Sequence, residues 1–209
     1  MLLILRRGLE TNDDLGDRLR FLQEHAWLWS LGWLSWTLAA VTVLGFYVSF
    51  AAAYRSLPSS KTLLTAALAS AVFAVAADLA AQALEVFFLP GLARAQNTAS
   101  FLYLHRRSVL LTGFLANALY TLSAALLQWA SRAAYPGWVR LGGLGVVAGG
   151  AMLSTAALLG SGLGMALSNV VLVPSLLVWL AGVGIATPSN SARLPDHGGL
   201  RRRAGGSDD

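Results

Sequence analysis

Hydrophobic positions along this chain gather into five long runs, at residues 26–54, 62–89, 107–130, 139–159 and 163–186, each bounded by charged residues, Pro or Gly. Every run reaches the length of about 20 residues that an α-helix needs to cross the hydrocarbon core of a bilayer. The breaks between runs predict how they connect. Leu57-Pro58 and Tyr135-Pro136-Gly137 stop helices, and Gly160-Ser161-Gly162 forces a tight hairpin between the last two runs. A longer connection, 90–106, has room for surface structure of its own.

Ahead of the first run, the residues from Thr11 onward read as a short amphipathic helix. Thr11 or Asn12 caps it, Asp13 and Asp14 suit its positive end, and Leu15, Leu19 and Leu22 share one face. Such a helix is expected to lie on the membrane surface. Met1 to Leu5 is apolar, but Arg6 and Arg7 follow that run, the reverse of a cleavable signal, so these residues are read as part of the mature chain. After Thr187 the chain turns to Pro, Ser, Gly and Arg with an acidic end, the composition of a disordered tail. The predicted fold class is all-α: a polytopic integral membrane helix bundle of about five transmembrane helices. An amphipathic interfacial segment occupies 1–25, the transmembrane domain 26–186 and a disordered basic tail 187–209.

Composition points the same way. Of 209 residues, 56% are hydrophobic and 12% are charged, about half the charge of a soluble domain, and the mean hydropathy is +0.61. Leu141 to Ala192 contains no Asp, Glu, Lys or Arg. Cysteine is absent, which excludes disulfides, thiolate catalysis and Cys-based metal or iron–sulfur sites. A formal charge of +5 invites comparison with nucleic-acid binders, but the basic residues sit singly or in twos and threes beside the apolar runs. That distribution suits anionic lipid headgroups, and no nucleic-acid partner is expected. With five spans the termini lie on opposite sides. Seven Lys and Arg fall on the N-terminal side and eight on the other, so charge does not choose the orientation. Trp27, Trp29, Trp33 and Trp36 open the first span as an interfacial anchor. The Ala, Leu, Arg and Gly bias suggests a GC-rich bacterium and hence its cytoplasmic (inner) membrane.

The candidate chemistry lies in the polar residues inside the spans. Asp78 stands near the middle of the second run, where an ionised carboxylate is costly and must be compensated. Gln82 and Glu85 follow at i+4 and i+7 on the same helical face. The third run returns in the opposite direction, which brings Asn117 and Tyr120 level with Asp78 and puts Arg106 or Arg107 near Glu85. Ser35, Thr37, Ser154, Thr155 and Asn169 fall in the same half of the membrane. These positions predict a polar pocket open toward the N-terminal side, with Asp78 at its floor, Glu85 nearer its mouth, and Asp78, Gln82, Glu85, Asn117, Tyr120 and Asn169 as candidate ligand- or proton-binding residues. The opposing expectation is that Asn117, Tyr120, Gln128 and Asn169 only stitch helices together, and that Glu85 forms an ordinary ion pair with Arg106 or Arg107.

Other chemistry is weaker. His25, Glu24 and His105 could in principle hold a metal, but no buried set is legible, and neither a metal nor another cofactor is expected. Gly160-Ser161-Gly162-Leu163-Gly164 has no preceding strand and no following Lys, and it lacks the spacing of a nucleophile elbow, so it predicts neither a phosphate cradle nor a hydrolase. Gly142, Gly145 and Gly149 form a small-residue stripe, read as packing of span four against span five in preference to a dimer seam. A homodimer or a larger membrane complex remains an expected class of partner beside the lipid bilayer. The functional expectation is a binding or transport protein, in preference to an enzyme, that takes a small polar or amphiphilic ligand, a lipid or protons at Asp78. The alternative is a structural or accessory subunit of a larger membrane complex, and a membrane-embedded enzyme acting on lipid with Asp78 or Glu85 as acid or base is the least favoured class.

Overall fold

The structure, a computed structural model, describes residues 5–9, 11–54, 61–132 and 134–186. The expected tail at 187–209, the helix stop at Leu57-Pro58 and residues 1–4 lie outside the described residues. Among the described residues there is no strand, and the chain is an all-α bundle. A short helix α1 (Leu15–Glu24) precedes five long ones: α2 (Ala26–Tyr54), α3 (Lys61–Arg94), α4 (Thr98–Ser131), α5 (Gly137–Leu159) and α6 (Gly162–Ala186). All five are long and apolar enough to cross a membrane. Their outer faces carry large apolar side chains, among them Phe87, Leu141, Leu163, Val170 and Ile185, each more than two-thirds exposed. Such faces would be untenable in water and are met by lipid tails, so we describe the chain as a membrane protein.

Neighbours in sequence are neighbours in space: α2 packs on α3, α3 on α4, α4 on α5 and α5 on α6. The α5–α6 hairpin is the closest of these pairings, and the glycine stripe explains it. A Cβ on Gly142 would stand 3.1 Å from the Trp179 backbone nitrogen, and one on Gly149 would stand 2.8 Å from the Leu172 Cα. Both glycines are thus used inside the chain, where they let two helix backbones approach. The hairpin turns at Gly160, whose φ of +71° suits a residue without a Cβ. At the far end of the bundle Trp179, fully buried in α6, packs on Phe46, Tyr47 and Phe50 of α2 and thereby ties the last helix to the first span.

The expected connection at 90–106 is helix for most of its length. α3 runs on to Arg94 and α4 begins at Thr98, where the Asn97 side chain accepts from the Ser100 N–H at 3.2 Å. Only Ala95, Gln96 and Asn97 lie between, with Gln96 in the left-handed region at φ 54°. Pro90 does not stop α3 because a π-helical turn, Leu84–Phe88, precedes it. Proline clashes with the carbonyl four residues back and offers it no N–H, and the wider turn relieves that clash. At about 1.5 Å per residue, two 34-residue helices are about 50 Å long, well beyond a hydrocarbon core of about 30 Å. Their surplus projects on the N-terminal side.

α1 docks on that projection. Phe21 and Leu22 are buried with Leu5, Trp29, Leu89, Ala93 and Phe101 in a core of their own, so α1 covers protein as well as any membrane surface. Its cap is Asp14, one turn's reach from the Asp17 N–H at 3.0 Å, and not Thr11 or Asn12. Asn12 instead bonds the Arg7 carbonyl and the Asp17 carboxylate. Trp29 and Trp33, read as interfacial anchors, are buried and meet edge to face.

Arg7 pairs with Asp17 across this segment, and the Arg7 guanidinium holds the Asp17 carboxyl below its ordinary value of 3.8. A carboxyl so lowered contributes its full stabilisation above the unfolded value and loses it as pH falls through the folded one. The expected result is an Asp17 carboxyl titrating below 3.8 by NMR, and faster amide exchange around Asn12 in Asp17→Asn at neutral pH. An unshifted Asp17 titration would contradict the pairing.

Candidate functional site

Between α3 and α4 the packing is close because α3 presents small side chains: Ala67, Ala71, Ala74 and Ala81 are fully buried. Into this seam the two helices place a ladder of polar contacts. From the N-terminal side these are Glu85 with His105 at 3.2 Å, the Ser108 hydroxyl donating to the Ala81 carbonyl at 3.3 Å, Thr112 donating to Asp78, and the Ser123 hydroxyl donating to the Ala67 carbonyl at 2.6 Å. Antiparallel helices match levels in this order, since moving up one means moving down the other.

Asp78 is 2% exposed. One carboxyl oxygen accepts from the Thr112 hydroxyl, and the other accepts from the Tyr120 hydroxyl at 3.4 Å. The Trp36 side chain, from α2, lies beside the same carboxyl. Tyr47, also on α2, donates to the Tyr120 carbonyl at 3.2 Å and so braces the residue that reaches Asp78. Among the described residues no Lys, Arg or His lies within ion-pair distance of this carboxyl. Thr112 reaches it from a second π-helical turn, Leu110–Ala116. One extra residue in a helical turn re-aims the following side chains by roughly 100°, the rotation per residue of an α-helix, and such turns are frequent at functional sites.

The other candidates divide. Gln82, 5% exposed, accepts from the Thr37 hydroxyl, while its Nε2 has no hydrogen-bond partner among the described residues. Glu85, 1% exposed, meets His105 and not Arg106 or Arg107. Arg106 instead donates to the Ala157 and Leu158 carbonyls at 2.9 and 2.8 Å, where a cation complements the negative end of α5. Arg107 lies over the Tyr103 ring. Asn117 points to α5, donating to the Gly150 carbonyl and the Ser154 hydroxyl, both at 2.7 Å. Asn169 donates to the Met165 carbonyl of its own helix at 2.9 Å, and among the described residues no hydrogen bond joins it to Asp78. The structure thus gathers Asp78, Gln82, Glu85 and Tyr120 along one seam. Asn117 and Gln128, the latter bonded to the Arg140 carbonyl, stitch α4 to α5.

Residues of the seam that sequence reasoning left out are Trp36, His105, Ser108 and Thr112. A signal for three of them existed. His105, Ser108 and Thr112 lie at i, i+3 and i+7, one helical face, and starting span three at Arg107 hid the first. His25, by contrast, sits half-buried beside Glu24 at 3.9 Å, and no group of three or more potential metal ligands lies together among the described residues.

Comparison with models of known families, with curated proteins and with solved structures finds no match for this chain. Its functional reading therefore rests on the seam itself. Chemically, a carboxyl bonded to two hydroxyls is served in either charge state. As a carboxylate it accepts from both; as a carboxylic acid it donates to one of them, because a hydroxyl can turn from donor to acceptor.

Proposed function

We propose that this protein binds and transports protons, or a small polar or amphiphilic ligand in a proton-dependent manner, at Asp78 within the α2–α3–α4 bundle. The observation that carries the reading is a mid-span carboxyl, almost wholly buried, whose partners are neutral side chains able to serve both protonation states. An ion pair would lock one charge state; hydroxyl partners leave both open. Intramembrane ionisable groups mark ion and substrate paths. The Ala, Leu, Arg and Gly bias supports a bacterial cytoplasmic membrane as the setting.

The test is an infrared titration of the full chain in lipid vesicles over roughly pH 5 to 9, the range in which a buried carboxyl can titrate. A protonated-carboxyl band that responds to pH and is lost in Asp78→Asn is the expected result, together with proton release by wild-type vesicles that the variant lacks. If no such band depends on Asp78, the proton-binding reading falls and the accessory-subunit reading replaces it.

A further inference from the structure

Seven residues along α3 from Asp78, the same seam holds a second buried titratable group. Glu85 is 1% exposed and His105 4% exposed, with Oε1 and Nδ1 3.2 Å apart. Glu85 Oε2 and both imidazole nitrogens of His105 have no hydrogen-bond partner among the described residues. Three unsatisfied polar atoms at this depth are costly in a purely structural pair. The pair is held in place from several sides. Phe101 stacks parallel on the imidazole with centroids 5.9 Å apart, and the Trp29 N–H donates at 3.0 Å to the Glu85 carbonyl in the π-helical turn. Facing charged and titratable groups are few. From α1 the Arg18 guanidinium lies 5.7 Å from the Phe101 centroid, on a ring the imidazole also contacts. From α2 come Trp29 and Trp33, which do not titrate in this range. α3 contributes Asp78 farther down, and Arg106 and Arg107 of α4 are engaged at the end of α5 and on Tyr103.

We propose that Glu85 and His105 form a second proton-binding site, the loading site through which protons from the N-terminal side reach Asp78. The inference rests on Asp78 being a proton site. A proton taken from water is shared between the imidazole and the carboxylate. Its onward route follows the hydroxyls of Ser108 and Thr112, each of which accepts one proton and gives up its own. Asp78 ends as the carboxylic acid, the pair returns to its starting state, and nothing is oxidised or reduced. The steps along α4, from 105 to 108 to 112, rise by roughly 4.5 and 6 Å, so the route requires hydroxyl rotation and a bridging water at each step. The unpartnered Nε2 of Gln82, three residues from Glu85 on the same face of α3, supplies a donor beside this route.

The test is time-resolved infrared spectroscopy after a pH jump, on the full chain in vesicles of phosphatidylethanolamine and phosphatidylglycerol. The Asp78 band, identified by its loss in Asp78→Asn, is followed in Glu85→Gln, His105→Gln and Ser108→Ala. The expected result is an Asp78 band of wild-type amplitude that appears about 100-fold more slowly in the first two variants, the low end of what a positioned acid–base group contributes, and more slowly in Ser108→Ala. Ser108→Ala removes one hydroxyl from a helix face and keeps the fold if the larger changes do not. An Asp78 band that titrates at the wild-type rate in every folded variant overturns the loading site and leaves the Asp78 reading intact. Absence of any Asp78 band in the wild type overturns both.

Discussion

Gly149→Leu is expected to unseat α6 from α5 and to cost about 3 kcal/mol, the upper part of the usual range for overpacking. The reason is what the new side chain meets. A Cβ at 149 stands 2.8 Å from both the Leu172 nitrogen and its Cα, and backbone atoms cannot rotate away as a side-chain tip can. Relief requires the helices to separate, which strips contacts from Gly142 against Trp179 and loosens the aromatic cluster that holds α2 to α6. Gly45, in α2, has nothing within 4 Å of its would-be Cβ. Gly45→Ala is therefore expected to be neutral or stabilising by up to about 1 kcal/mol, through helix propensity alone. Equilibrium unfolding of the two variants in the same detergent checks the contrast. Equal effects would mean that the α5–α6 contact is not the tight seam described.

Asp78→Asn is expected to leave the protein at least as stable as the wild type, to within about 1 kcal/mol, the worth of one neutral hydrogen bond, and to remove the pH dependence that Asp78 confers. Asn has the shape of Asp, keeps an oxygen for Thr112, and can offer its amide N–H to the Tyr120 hydroxyl. It also removes a buried ionisable group that has no cation beside it among the described residues. Asp78→Leu differs, because it strands the Thr112 and Tyr120 hydroxyls without their acceptor and is expected to cost about 1–3 kcal/mol. Unfolding of the three proteins across the neutral range separates the cases. A loss of several kcal/mol in Asp78→Asn at every pH would make Asp78 part of a structural network and would remove the functional reading.

Much of the bundle is legible from single residues. The charge-free stretch after Leu141 and the Pro and Gly breaks mark the spans, since lipid tolerates only helices with apolar surfaces. Asp78 stands out for the same reason. The partnership of Glu85 was not legible. Arg106, next in sequence to the true partner, had the stronger charge, yet the carbonyls at the end of α5 hold it. Nor could periodicity reveal that α3 passes through Pro90, because the π-helical turn that permits this leaves no mark in the pattern of apolar residues.

By itself the sequence determined the class of fold, five helices long and apolar enough to cross a membrane, the tight turn at Gly160 and the place of Asp78 midway along its helix, all of which depend on local properties: hydrophobicity, backbone freedom and the length of each run. Tertiary structure alone decided which polar groups meet. It turned the helices so that Thr112, Tyr120 and Trp36 face Asp78 and His105 faces Glu85, and it sent Asn117 to α5. Those choices depend on helix rotation and the two π-helical turns. A rotation of one residue, roughly 100°, exchanges a buried partner for lipid, and it is set by packing across the whole seam and by no single residue within it.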